Sequence, residues 1–131
     1  MNDSQKIEIH HPDKKVSTGA YSAGVLWDGW LFVSGQGPLD LATGEVLRGN
    51  VAEETRATLA NIDKILRAAG CTSADVVKCT CHLSRIEDFD AFNAEYARYF
   101  QGVRPARTTV QSVLWGGIKV EIDCIARAKG T

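Results

Sequence analysis

Charge of one sign, long apolar runs and metal-type cysteine pairs are all missing from this chain, and each absence narrows its chemistry. Its 131 residues carry 15 basic and 16 acidic side chains, a formal net charge of −1. No run of lysine or arginine stands out. The chain therefore lacks the electrostatic footprint of a protein that binds nucleic acid or an anionic membrane. No segment approaches the roughly 18 consecutive apolar residues that read as a membrane span. Met1-Asn2-Asp3-Ser4-Gln5-Lys6 has no apolar signal-peptide core, so the expected location is cytoplasmic. Cysteines are few: Cys71, Cys79, Cys81 and Cys124. None forms a C-x-x-C pair, and Cys79-Thr80-Cys81 has one residue between its thiols in a strand-like run. They read as reduced, small core residues, and no metal site is expected. His82 reads as an exposed strand residue on the opposite face. His10 and His11 lie in a polar leader before Pro12 and are given no role.

What the chain does contain is strong local patterning. Asp28-Gly29, set between Val25-Leu26-Trp27 and Trp30-Leu31-Phe32-Val33, predicts a hairpin with a type I′ turn. That turn pairs Trp27 with Trp30, Val25 with Phe32, and Tyr21 with Gln36. Residues Pro38 to Gly44 read as a loop and turn. Asn50 and Glu53 form a capping box for a helix whose buried face is Val51, Thr55, Leu59, Ile62, Leu66 and Ala69, and Gly70 ends it. A strand follows from Val76 to Leu83, with Val77, Cys79, Cys81 and Leu83 facing one way. A second helix runs from about Asp88 to Phe100. It carries a buried stripe of Phe89, Phe92, Tyr96 and Phe100, and Gly102 terminates it.

The last third carries the chemistry. Arg104-Pro105-Ala106-Arg107-Thr108-Thr109 leads through a short apolar strand and Trp115-Gly116-Gly117 into Ile118-Lys119-Val120-Glu121-Ile122-Asp123. It reads as a hairpin. A three-residue loop sets Leu114 opposite Ile118 and Val110 opposite Ile122. In that register Arg107 lies opposite Ile125, and Arg107, Thr109, Gln111, Glu121 and Asp123 share one face. A guanidinium fork suits a small carboxylate, and a nearby glutamate can move protons or orient water. One hairpin thus offers an anchor and an acid/base group, reaching toward a small ligand between them. Two helices on one side leave a polar sheet face that needs a cover, most simply another subunit. The element order, hairpin–helix–strand–helix–hairpin, predicts an α+β domain with a mixed sheet. One domain spans 1–131, with 1–16 a flexible or edge-strand leader.

These pieces occur in an order that resembles the reactive intermediate deaminase (RidA/YjgF) family. They are Gly19-Ala20-Tyr21-Ser22, Phe32-Val33-Ser34-Gly35-Gln36, Thr43-Gly44-Glu45, Asn93-Ala94-Glu95-Tyr96, Arg104-Pro105-Ala106-Arg107 and Val120-Glu121-Ile122-Asp123. The resemblance implies a chorismate-mutase-like fold and a homotrimer with clefts between subunits. It implies hydrolysis of 2-aminoacrylate-type enamines and imines to 2-keto acids and ammonia, with no cofactor. By the same resemblance Arg107 clamps the substrate carboxylate and Glu121 positions water or shuttles a proton. Tyr21 lines the pocket, the backbone at Ser34 and Gly35 meets the imine or its water, and Asn93 assists from a neighbouring subunit's edge. Thr109 occupies a substrate-side position where many relatives have cysteine or another small residue. Ala20 replaces a usual proline, and the loop at Trp115 carries an indole. Two rival readings stay open: a non-catalytic protein that binds small carboxylates such as 2-keto acids, and an endoribonuclease. The charge balance argues against the second.

Overall fold

The computed structural model describes residues 5–129. Met1 to Ser4, the start of the leader, lie outside the described residues. Among the described residues six strands, numbered along the chain, form one sheet in the spatial order first, second, third, sixth, fourth, fifth. They are β1 (Ile7–Ile9), β2 (Gly24–Trp27), β3 (Trp30–Gln36), β4 (Val76–Leu83), β5 (Ala106–Gln111) and β6 (Val120–Arg127). Helices α1 (Val51–Ala68) and α2 (Phe89–Tyr99) pack side by side on one face, the α+β architecture expected of a chorismate-mutase-like fold. Among the described residues no helix is long and apolar enough to cross a membrane.

Local chemistry explains most of these elements. Asp28 (φ 51°) and Gly29 (φ 79°) supply the two positive dihedrals of the type I′ turn, and Trp27 pairs with Trp30 as the spacing requires. The ladder ends at Gly24 with Val33, however, so Tyr21 does not pair with Gln36; Gln36 pairs with Ile122 on the other side. Asn50 caps α1: its side chain accepts from the Glu53 N–H at 2.9 Å, and Glu53 accepts from the Asn50 N–H at 3.0 Å. Gly70 (φ 78°) ends that helix. Along α2 and its C-cap, Phe92, Tyr96 and Phe100 are buried, and successive ring centroids from Phe89 lie 6.2, 5.6 and 4.7 Å apart. All four cysteines are free and buried in the core. Burial pushes the Cys79 thiol up to about 11 and that of Cys81 to about 12, which makes them packing groups rather than nucleophiles.

The expected final hairpin does not form. Strand β5 lies at the sheet edge, parallel to β4, while β6 inserts between β3 and β4 and is antiparallel to both. Val110 therefore pairs with His82 rather than Ile122, and Arg107 pairs with Cys79 rather than Ile125. The reason lies in composition. On β6, Val120, Ile122, Cys124 and Ala126 are all buried on one face, a pattern that suits a central strand. The β5 segment Ala-Arg-Thr-Thr-Val-Gln is polar and suits an edge. Residues 112–119 carry the chain past the end of β4, where the Ser112 N–H donates to Leu83 O and the Ser84 N–H to Lys119 O.

Facing follows from pairing, because partners in a ladder point the same way. Arg107 and Thr109 lie beside Cys79 and Cys81, on the helix-covered face. Glu121 lies beside His82 and Asp123 beside Thr80, on the open face. The shared face expected for Arg107, Thr109, Glu121 and Asp123 is thus corrected. A bulge between Val76 and Lys78 makes a further correction: Val76 is buried and Val77 faces solvent.

The leader is tied down more firmly than its polarity suggests. Strand β1 pairs with β2 at the edge. His11, given no role above, is buried. Its Nδ1 accepts from the Asp13 N–H at 3.1 Å, so its Nε2 donates to Asn61 Oδ1 at 3.0 Å. Burial lowers its pKa below the ordinary 6.5 and keeps the ring neutral. Asn61 in turn donates to the Gly37 and Leu39 carbonyls, at 3.1 and 2.9 Å.

Candidate active site

Two hollows take up six of the seven residues singled out in the sequence. The larger, about 630 Å³, opens on the helix-free side and is lined by Tyr21, Ser34, Gly35, Gln36, Trp115 and Glu121, among others. Its floor is a bulge. Between the pairs Val33–Cys124 and Gln36–Ile122, β3 has two residues, Ser34 and Gly35, against the single Asp123 of β6. Bulges re-aim backbone next to functional sites. Here the Ser34 hydroxyl donates to Ser22 O at 2.6 Å, and the Gln36 amide returns to Ser34 O at 3.1 Å. The Ser34 hydroxyl is therefore spent on the backbone, and the bulge meets the hollow mainly through its main chain.

Gly35 is required by space rather than by dihedral. A Cβ there would lie 2.7 Å from Glu121 Oε2 and 3.0 Å from its Cδ. The missing side chain is the room in which the Glu121 carboxylate sits. That carboxylate has no hydrogen-bond or ion-pair partner among the described residues, so its lone pairs remain available to water or ligand. Tyr21 stands on the rim, its hydroxyl 2.7 Å from Thr18 Oγ1. Gly19 (φ 150°) makes that placement possible, because a Cβ on it would come within 2.8 Å of the Tyr21 ring.

The smaller hollow, about 310 Å³, lies on the helix side and is lined by Asn93, Tyr96, Ala97, Arg104, Pro105 and Arg107. The aromatic stripe of α2 does two jobs there. It fills the core, and it cradles the Arg107 guanidinium, whose Cζ sits 4.7 Å from the Tyr96 ring centroid, 5.3 Å from Phe89 and 5.7 Å from Phe92. Asn93 accepts from Arg107 Nη1 at 2.8 Å. One donor of the fork is spent on holding it, and the others remain for a carboxylate. Arg104 positions the chain end of α2, donating to the Phe100 and Ala97 carbonyls at 2.7 and 3.3 Å.

The structure therefore brings Tyr21, Ser34, Gly35 and Glu121 together, and Arg107 with Asn93, but does not join the two groups within one chain. Thr109 lines neither hollow; its hydroxyl is buried without a partner among the described residues. Residues that sequence reasoning passed over are Lys14, Thr18 and Gln36, all on the larger hollow. The available signal was proximity to the motifs: Lys14 and Thr18 come just before the one that holds Tyr21, and Gln36 closes the one that holds Ser34 and Gly35.

A family model described as Endoribonuclease L-PSP matches residues 12–128. The chain belongs to the RidA/YjgF family. Within it, 2-iminobutanoate/2-iminopropanoate deaminase of Rattus norvegicus is 46% identical over 109 residues, which are 82% of this chain and 80% of that protein. Protein DfrA of Myxococcus xanthus is 43% identical over 129 residues, covering 96% of this chain and 98% of its own. Among solved structures, E. coli TdcF with bound serine superposes with a TM-score of 0.86 at 31% identity, covering 94% of this RidA-family chain and 99% of that one.

Proposed function

We propose that this protein is an enamine/imine deaminase that hydrolyses 2-aminoacrylate-type intermediates in clefts between subunits of a homotrimer. The observation that carries the reading is a pair of half-sites: an unpartnered carboxylate in an open hollow, and a rigidly held guanidinium with donors to spare. Neither is complete alone. The rat relative's name supports the chemistry. The half-exposed Trp30, Phe32 and Val110 on the helix-free face support a neighbouring subunit as its cover.

The mechanism needs only water. Arg107 of one chain holds the substrate carboxylate, with Asn93 fixing the fork. The enamine first takes a proton on its terminal carbon and gives one up from its nitrogen, becoming the imine. Glu121 of the neighbouring chain takes a proton from water as its oxygen adds to the C=N carbon, giving a carbinolamine. Glu121 returns that proton to the nitrogen, the hydroxyl then yields its own proton to the amine as the C–N bond breaks and the C=O forms, and ammonia leaves a 2-keto acid. Such substrates already decompose in water, so fixing one water beside a held imine supplies most of the acceleration. Four unpaired thiols fit a reducing, cytoplasmic location.

The direct test is 2-keto-acid release from 2-aminoacrylate generated in situ. The wild-type protein should accelerate it, and Arg107→Ala should lose on the order of 100-fold or more, as expected when a charged anchor is removed. Unchanged turnover in that variant would remove Arg107 from the mechanism. Binding of 2-ketobutyrate with no turnover would favour a carboxylate-binding protein, and RNA cleavage abolished by cleft mutations would favour a nuclease.

Gly35→Ala tests the carboxylate separately. The added methyl collides only with the end of a flexible side chain, so stability should change by less than about 1 kcal/mol. Glu121 must move away from its place, and turnover should fall by roughly 10- to 100-fold, the scale of a 1 Å misplacement. Parallel urea unfolding and kcat measurements check both halves; full activity would show that the Glu121 position is not critical.

A further inference from the structure

Among the described residues, the cation that lines the larger hollow is not Arg107. Among the described residues lining it, Lys14 is the only basic side chain. Lys14 is half-buried, and none of its contacts among the described residues is to a carboxylate. Its Nζ rests 5.2 Å from the Tyr21 ring centroid, and the Ser17 and Thr18 side chains line the same wall. It is not a floppy surface lysine. The Lys14 N–H donates to His11 O at 3.1 Å, and the next N–H, of Lys15, donates to Leu41 O at 3.0 Å. His11 is itself buried against Asn61, and Asp13 is paired with Lys64. The main chain under Lys14 is therefore pinned on both sides, and the tyrosine face guides the ammonium. The Thr18–Tyr21 hydroxyl contact holds that ring in turn.

We infer that Lys14 recognises a second anionic group on the substrate, so that the site takes dicarboxylic 2-imino and 2-enamino acids in preference to monocarboxylic ones. The inference rests on the imine-deaminase reading. With Arg107 of the neighbouring chain holding the α-carboxylate and Glu121 serving the imine carbon, a cation on the rim by Tyr21 is left for the far end of the substrate. The Ser17 and Thr18 hydroxyls supply further polar contacts for a carboxylate there. An ammonium is a point charge with three rotatable donors, which suits an end group that varies in reach with chain length.

The test separates recognition from turnover. Calorimetric binding of 2-oxoglutarate and of 2-oxobutanoate, the stable products of a dicarboxylic and a monocarboxylic imine, is measured on wild type, Lys14→Met and Lys14→Arg. The wild type should bind the dicarboxylate about 10-fold more tightly, in keeping with one charge-assisted hydrogen bond at a half-exposed site. Lys14→Met should collapse that ratio toward one, and Lys14→Arg should restore it. A wild-type ratio near one overturns the inference. So does a ratio that survives Lys14→Met, or an equal loss for both acids, which would make Lys14 the α-carboxylate's partner. Hydrolysis of the two corresponding imines, generated by an amino-acid oxidase, is followed alongside. Preferential binding that depends on Lys14 but comes without hydrolysis would reject the deaminase reading and leave the second-anion site standing. Hydrolysis without the preference would do the reverse.

Discussion

Arg107→Ala and Glu121→Ala proteins, each inactive alone, should regain activity when unfolded together in equal amounts and refolded. In a randomly assembled ring, about one cleft in four joins an intact guanidinium from one chain to an intact glutamate from the next, so about a quarter of wild-type turnover should return. The expectation follows from the strand register. Arg107 pairs with Cys79 on the helix-covered face, and Glu121 pairs with His82 on the open face. A site contained in one chain cannot be rescued this way, because every chain in the mixture carries one defect. Recovery near zero, with both variants folded and assembled as the wild type is, would reject the composite cleft. Recovery that follows mixing before assembly, but not after it, would fix the exchange step as subunit association.

How far the sequence reached can be judged strand by strand. The turn at Asp28-Gly29, the capping box at Asn50 and Glu53, the stop at Gly70 and the stripe on α2 were all legible, because each is decided within a few residues. The place of β6 was not. A Gly-Gly pair between two strands looks like a hairpin turn, and nothing local says that the chain should cross β4 instead. The usable clue was polarity: Thr108, Thr109 and Gln111 make poor central-strand residues, while Val120, Ile122 and Cys124 make good ones. Parallel pairing of β4 with β5 is a contact between segments separated by a whole helix, which periodicity within either segment does not encode.

The same distinction separates what was readable in the candidate site. The identities of Arg107, Glu121, Tyr21 and Gly35 came through the ordered motifs. Their division between two hollows did not, because facing depends on register and register on long-range pairing. Gly35 shows why a motif glycine need not mark a turn: the space it leaves is filled by a carboxylate from another strand. Buried polar residues were the other blind spot. His11, Glu54, Thr58 and Asn61 are all buried, yet a hydrophobic pattern assigns each to the surface. Their partners, scattered from residue 11 to residue 119, make them core residues.

Glu54→Ala should be among the most destabilising single substitutions in the chain, at about 3 kcal/mol, the lower end for removing one partner of a buried ion pair. Glu54 is fully buried in the first turn of α1. Its Oε1 accepts from the Lys119 N–H at 2.8 Å, and its Oε2 accepts from the Gly49 N–H and from Lys119 Nζ, both at 3.2 Å. Truncation orphans two backbone donors at once and strands the ammonium. Lys119 is 39% exposed and can turn partly to water, which sets the loss at the lower end. Glu54→Gln keeps an oxygen for one backbone donor and should cost less. These bonds tie the start of α1 to the residue that leads into β6, two positions before Glu121. Loosening them should therefore lower kcat for imine hydrolysis as well as the urea midpoint, with both variants compared at one protein concentration. A Glu54→Ala midpoint within about 1 kcal/mol of wild type would show that the pair contributes little beyond its own desolvation, as some buried ion pairs do.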